Sequence, residues 1–210
     1  MSALLAPPVL RCGRGAPGLV EANPDHPAWQ AVEPVTLLEN LGGGEPVHAT
    51  RVRTLRDRAN WRVLFEVDDP APWATLTVRD APLWTEEVVE VFFDPVGDGL
   101  SYFEVEINPL GALCDLVLRR TASGWRKDFG WDVDGLASHA RRTATGWAAE
   151  LSIPFAAVGA EPRDGERWRV NFLRIDRPDG PGSEHRELSA WSPTGMANFH
   201  RYERFGTVEF

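Results

Sequence analysis

Glu90, Asp94, Glu104, Glu106 and Asn108 all fall on even positions of the stretch WTEEVVEVFFDPVGDGLSYFEVEINP, residues 84–109. In an extended chain successive side chains point to opposite faces, so Val89, Val91 and Phe93 share one side while Glu90 and Asp94 take the other. Phe103, Val105 and Ile107 oppose Glu104, Glu106 and Asn108 in the same way. Folded as a hairpin about Gly97 and Gly99, the two runs gather their acids on one sheet face. Carboxylates set directly opposite repel, and each has a raised pKa unless a cation offsets it. Arginines such as Arg174 or Arg119, solvent, or a bound calcium ion would relieve the row. Trp84 lies an even step before Glu90 and shares its side if the strand stays regular that far. A flat indole beside carboxylates and an amide suits a sugar: pyranose C–H faces stack on the ring and hydroxyls donate to the acids. A solvated charged face is the commoner explanation of such a row.

Catalysis needs more than this. Paired carboxylates hydrolyse glycosides at separations of ~5–5.5 or ~6.5–9.5 Å, and Glu90 with Glu106 would meet that spacing on adjacent strands. No GxSxG, HExxH, phosphate loop or GxGxxG accompanies them. The histidines His26, His48, His139, His185 and His200 are scattered, mostly in loop-like sequence. Asp94 and Asp98 with their glycines read as turn chemistry and do not match a calcium loop. The reading is therefore recognition without bond cleavage.

The elements that must hold these groups are short strands. The chain has 210 residues, 43% of them hydrophobic, which is enough for one large all-β domain with a core. A net charge of -9 argues against nucleic acid or an anionic membrane as partner. Cys12 and Cys114 make neither a disulfide framework nor a zinc site. The first 15 residues carry no basic segment ahead of their short, proline-interrupted apolar run, so a cytoplasmic location is expected for the chain as numbered, and secretion if a leader preceded it. Period-two runs predict strands at 61–67, 89–93, 103–107, 147–153, 168–172 and 205–210, with Trp61, Trp147 and Trp168 in core phase. A short helical turn is expected at 153–158. Many short strands at even spacing mean a sandwich or barrel. Trp191, ahead of Ser192-Pro193, reads as a loop-rim aromatic.

At these residues a resemblance enters. LWTEEVVEVFFDPVGDG, YFEVEINPLGAL, GWAAELSIPFAAV, WRVNFLRID, AWSPTG and FHRYERFGTVEF, in that order, resemble the carbohydrate-binding module family 9-like domains, part of a broader group similar to the DOMON domains. The resemblance runs from about Ala28 to Phe210, leaving 1–27 as an arm or first strand ahead of a single domain. It implies an all-β, two-sheet antiparallel sandwich of jelly-roll or immunoglobulin-like type, with little helix, that grips a glucose-type or xylose-type unit between two tryptophans. By position Trp84 matches the stacking tryptophan and Glu90 its hydrogen-bonding glutamate, while Trp191 matches the second tryptophan. Glu106 and Asn108 fall on a strand that contributes polar contacts, and Arg174 matches either a sugar contact or the counter-ion of the acidic row. Some DOMON domains carry haem on Met and His, but Met196 and His200 are flanked by Pro193 and Gly195, which favour a loop. A sandwich that keeps the fold without sugar affinity is the competing reading.

Overall fold

The apolar alternation becomes strands along nearly the whole chain in the computed structural model, which describes residues 5–15, 18, 20–159 and 161–210. Part of the expected N-terminal arm, residues 1–4, 16, 17 and 19, lies outside the described residues. In chain order the strands are β1 (Val9–Arg11), β2 (Gly13–Arg14), β3 (Val35–Thr36), β4 (Leu38–Glu39), β5 (Thr50–Arg56), β6 (Asn60–Asp68), β7 (Val88–Asp94) and β8 (Ser101–Ile107). They continue with β9 (Leu113–Thr121), β10 (Gly124–Asp128), β11 (Ala137–Arg142), β12 (Gly146–Pro154), β13 (Arg167–Asp176), β14 (Glu187–Ala190) and β15 (Gly206–Glu209). The helices are single turns, α1 (Pro27–Gln30) and α2 (Phe155–Val158). The second stands where the sequence predicts it, opened by Pro154 and closed at Gly159, whose φ of 140° few other residues tolerate. No helix of the described residues is long and apolar enough to cross a membrane.

Two sheets face each other. One runs β1-β15-β13-β7-β8-β9-β10, with β14 beside β13 and β4 beside β14. The other runs β11-β12-β6-β5-β2, with β3 on β5. The pairing is antiparallel except at the N-terminus, where β1 lies parallel to β15 and β2 parallel to β5. Thus the first strands of the chain seal one edge of each sheet rather than hang as an arm. Such sealing protects open edges from further pairing.

Between the sheets lies one apolar layer. Val89, Val91 and Phe93 from β7 meet Trp61, Val63 and Phe65 from β6, with Trp147, Trp168 and Phe172 alongside. The three core tryptophans expected from strand phase are buried there. The first sheet is unusual in being covered on its outer face as well. Phe92, Tyr102, Cys114, Leu116 and Leu173 point outward and are roofed by Leu83, Phe199 and Phe205. The roof comes from a 3₁₀ turn at Leu83–Thr85 and from the chain that follows β14. Cys12 belongs to the inter-sheet layer and Cys114 to the outer one, so the two free thiols do not meet.

Candidate functional site

The hairpin of β7 and β8 sets the acidic row. Its register places Glu90 opposite Glu106 and Phe92 opposite Glu104. The turn between them is closed by Asp94, which accepts from the amides of Val96, Gly97 and Gly99 and from the Tyr202 hydroxyl at 2.8–3.1 Å. Glycine is required at 97 and 99, where φ is 73° and 69°. Turn chemistry thus accounts for Asp94, as the sequence implied.

Glu90, Glu104 and Glu106 share the outer face, as strand phase predicts, but the roof makes that face dry. Their exposures are 2%, 1% and 0%. One oxygen from each lies within 4.8 Å of the others. Neither arginine named as a counter-ion reaches them: Arg119 is exposed, and Arg174 points to the inter-sheet side. Instead Lys127 of β10, the only lysine in the sequence, holds its Nζ 3.5 Å from Glu104 Oε1 and 5.2 Å from the centre of the Trp84 ring. His200 stacks on Phe92 at 5.3 Å and shares a 2.7 Å hydrogen bond between its Nδ1 and the Tyr102 hydroxyl. Burial lowers its pKa, so the ring is neutral. Burial first, and then the neighbouring carboxylates, push the pKa values of Glu90 and Glu106 well above the ordinary range. Glu90 Oε1, Glu104 Oε2 and both oxygens of Glu106 meet no donor among the described residues.

Above these acids is a small, open pocket of about 120 Å³, below the ~300–1,000 Å³ usual for drug-sized ligands. Glu90 and Glu104 line its base, and Trp84, Lys127, Arg186, Asn198 and His200 form its wall. Trp84 is half-buried and tilts against Phe129 at 5.8 Å, leaving an indole surface at the mouth. Of the residues expected at a site, the fold brings together Trp84 and Glu90, with Glu106 just beneath.

Three expected residues lie elsewhere. Trp191 is 5% exposed and belongs to the inter-sheet layer, packed on Phe172 at 5.4 Å. Its ring lies so close over Gly206 that a Cβ there would collide with it. The rim reading fails because Trp191, one residue past β14, still donates its amide to the Phe172 carbonyl at 2.9 Å and turns its ring into the core. Asn108 is fully buried and fully bonded: Nδ2 donates to the Leu76 carbonyl at 2.8 Å, and Oδ1 accepts from the Leu110 and Ala112 amides. It fastens the turn after β8. Arg174 donates to Asp69 at 2.9 Å, pairs with Asp176 at 3.2 Å and donates to the carbonyls of His48 and Asp68. It is the cation of a second buried acid cluster, Asp69, Glu87 and Asp176, which strand phase alone did not reveal. Met196 and His200 occupy the loop after β14, as Pro193 and Gly195 implied. Lys127, Arg186 and Asn198 were missed. Uniqueness was the available signal for Lys127, whereas Arg186 and Asn198 sit in irregular chain where periodicity carries no information.

The second cluster makes stability depend on pH. Burial, and then the charges of Asp69 and Asp176, push Glu87 up to about 9. A folded pKa above the unfolded value of ~4.3 means that the contribution is full below pH ~4 and is lost as pH rises toward 9. In urea titrations between pH 5 and 9, the protein is expected to lose stability on going up, and Glu87→Gln to flatten the slope by as much as ~1.4 kcal/mol per pH unit. Identical slopes would show that Glu87 does not hold the proton.

Comparisons with known proteins bear on this geometry. The family model described as carbohydrate family 9 binding domain-like matches residues 22–210. A protein of Arthroderma benhamiae named "Extracellular protein" is 22% identical over 196 residues, covering 87% of this chain and 86% of its own. A family 9 carbohydrate binding module from Caldicellulosiruptor kristjanssonii, solved with cellotriose, superposes with a TM-score of 0.71 at 16% identity, covering 96% of this chain and 92% of its own. The same module solved with glucose also gives 0.71 at 16% identity, over 96% and 94%. At such identity the likeness to the solved structures establishes a shared fold.

Proposed function

This chain belongs to the carbohydrate family 9 binding domain-like family, and on that premise we propose that it is a non-catalytic module binding a small saccharide or glycan end in the pocket beside Trp84. The observation that carries the reading is a half-exposed indole at the mouth of a pocket whose base holds carboxylates with unused oxygens. A pyranose stacked on Trp84 would present its hydroxyls to Glu90 and Glu104, with Lys127, Arg186 and Asn198 donating from the wall. Since Trp191 is in the core, the stacking is one-sided. The buried pairs around the pocket hold it in shape before ligand arrives, which lowers the ordering cost of binding. The mechanism is recognition: no bond is broken. The name of the fungal relative supports action outside the cell.

Titration calorimetry against glucose, xylose, cellobiose, xylobiose and cellotriose tests this. Saturable heat is expected with at least one of them. Trp84→Ala should weaken it by ~1–3 kcal/mol, the scale of aromatic stacking platforms, or roughly 5- to 150-fold. Its circular dichroism spectrum should match the wild type. Absence of heat across the panel from a well-folded sample would refute the saccharide reading. Heat unchanged in Trp84→Ala would move the site elsewhere.

A further inference from the structure

We propose that Glu90, Glu104 and Glu106 form the seat of a hard divalent cation of the calcium class at the base of the Trp84 pocket. Among the described residues, three groups of acids are close enough to share an ion. Two of them already have a guanidinium among their oxygens: Arg174 serves Asp69 and Asp176, and Arg79 bridges Asp115 and Asp132. The third has no guanidinium: Lys127 touches a single oxygen, Glu104 Oε1, and His200 Nδ1 comes no nearer than 4.0 Å to Glu104 Oε2.

A second observation points to a ligand. Glu106 is wholly buried, and neither of its oxygens meets a donor, although it is a member of the close trio. Glu90 Oε1 and Glu104 Oε2 are equally unpartnered. An unpaired buried carboxylate is costly, and nearby acids raise that cost. Only oxygen donors are present, the preference of calcium and magnesium. Magnesium demands near-ideal octahedral geometry and gives up its waters reluctantly, whereas calcium accepts irregular sets of oxygens, so a fixed trio of carboxylates suits the larger ion. Glu90 and Glu104 line the pocket, so the ion has a way in and an open side toward it. The ion would share that space with the proposed saccharide, but its seat does not depend on one.

The test uses the full chain, stripped with chelator and dialysed free of it. Calorimetry with calcium chloride is expected to show one saturable site, and thermal unfolding to rise by several degrees with calcium and less with magnesium. Glu106→Gln should keep the circular dichroism of the wild type and lose the calcium heat. Glu90→Gln is the second variant should the first fail to fold, and is expected to lose it too. Glu87→Gln, in the other buried cluster, should retain it. No heat and no thermal shift at calcium up to ~10 mM, above the ~10⁻⁴–10⁻³ M range of weak extracellular modules, overturns the inference. Heat that survives both Glu106→Gln and Glu90→Gln overturns it too. Running the sugar panel in chelator separates the two readings. Sugar heat without any calcium response leaves the saccharide reading standing and removes the ion. A calcium response without sugar heat does the reverse.

Discussion

Arg174→Leu is expected to lower the unfolding free energy by about 3–5 kcal/mol, as loss of one partner from a buried ion pair typically does. The guanidinium is 1% exposed and reaches five acceptors: Asp69, Asp176, Thr50 and the carbonyls of His48 and Asp68. Leucine matches part of the volume but leaves Asp69 and Asp176 beside Glu87 with no arginine among them. His48 Nδ1 lies 2.9 Å from Asp176 Oδ2 but does not reach Asp69 in place of the guanidinium. Equilibrium unfolding in urea measures the loss. A loss below ~1 kcal/mol would show that the cluster does not need its arginine.

Trp61→Ala should cost a comparable ~3–5 kcal/mol, for a different reason. The Trp61 ring sits edge-on to Phe93 at 5.4 Å, Trp168 at 5.7 Å and Phe210 at 6.0 Å, so it joins β6 of one sheet to β7, β13 and the C-terminus of the other. Its Nε1 donates to Thr54 Oγ1 at 2.5 Å. Alanine leaves a cavity that surrounding rings cannot fill. Trp61→Phe keeps most of the contact and should lose clearly less. Saccharide binding by the folded Trp61→Ala fraction should be unchanged, because the pocket lies on the other face of the sheet. Equal losses for the alanine and phenylalanine variants would contradict this account. The comparison with Trp84→Ala is instructive: one tryptophan is worth stability and the other affinity.

The same contrast marks what was readable in advance. Phase along β6, β7, β8, β12 and β13 determined which residues enter the inter-sheet layer, because side chains of an extended chain must alternate and apolar ones must leave water. Trp61, Trp147, Trp168 and the shared face of Glu90, Glu104 and Glu106 followed from that alone. Arg174 was readable too: it keeps the phase of Trp168, Val170 and Phe172 and so had to point inward, away from Glu90. What phase could not supply was the state of the opposite face. Whether the acids met water or a roof depended on Leu83, Phe199 and Phe205, brought over the sheet from distant parts of the chain. Their counter-charge depended on β10 returning along β9 to lay Lys127 across the row. Trp191 went inward because β14 pairs with β13 and Gly206 leaves room for an indole. Alternation is a local property of one strand, so the sequence by itself determined the layers and the acid face. Cover, counter-ion and pocket wall are contacts between segments far apart in the chain, and only the tertiary structure decided them.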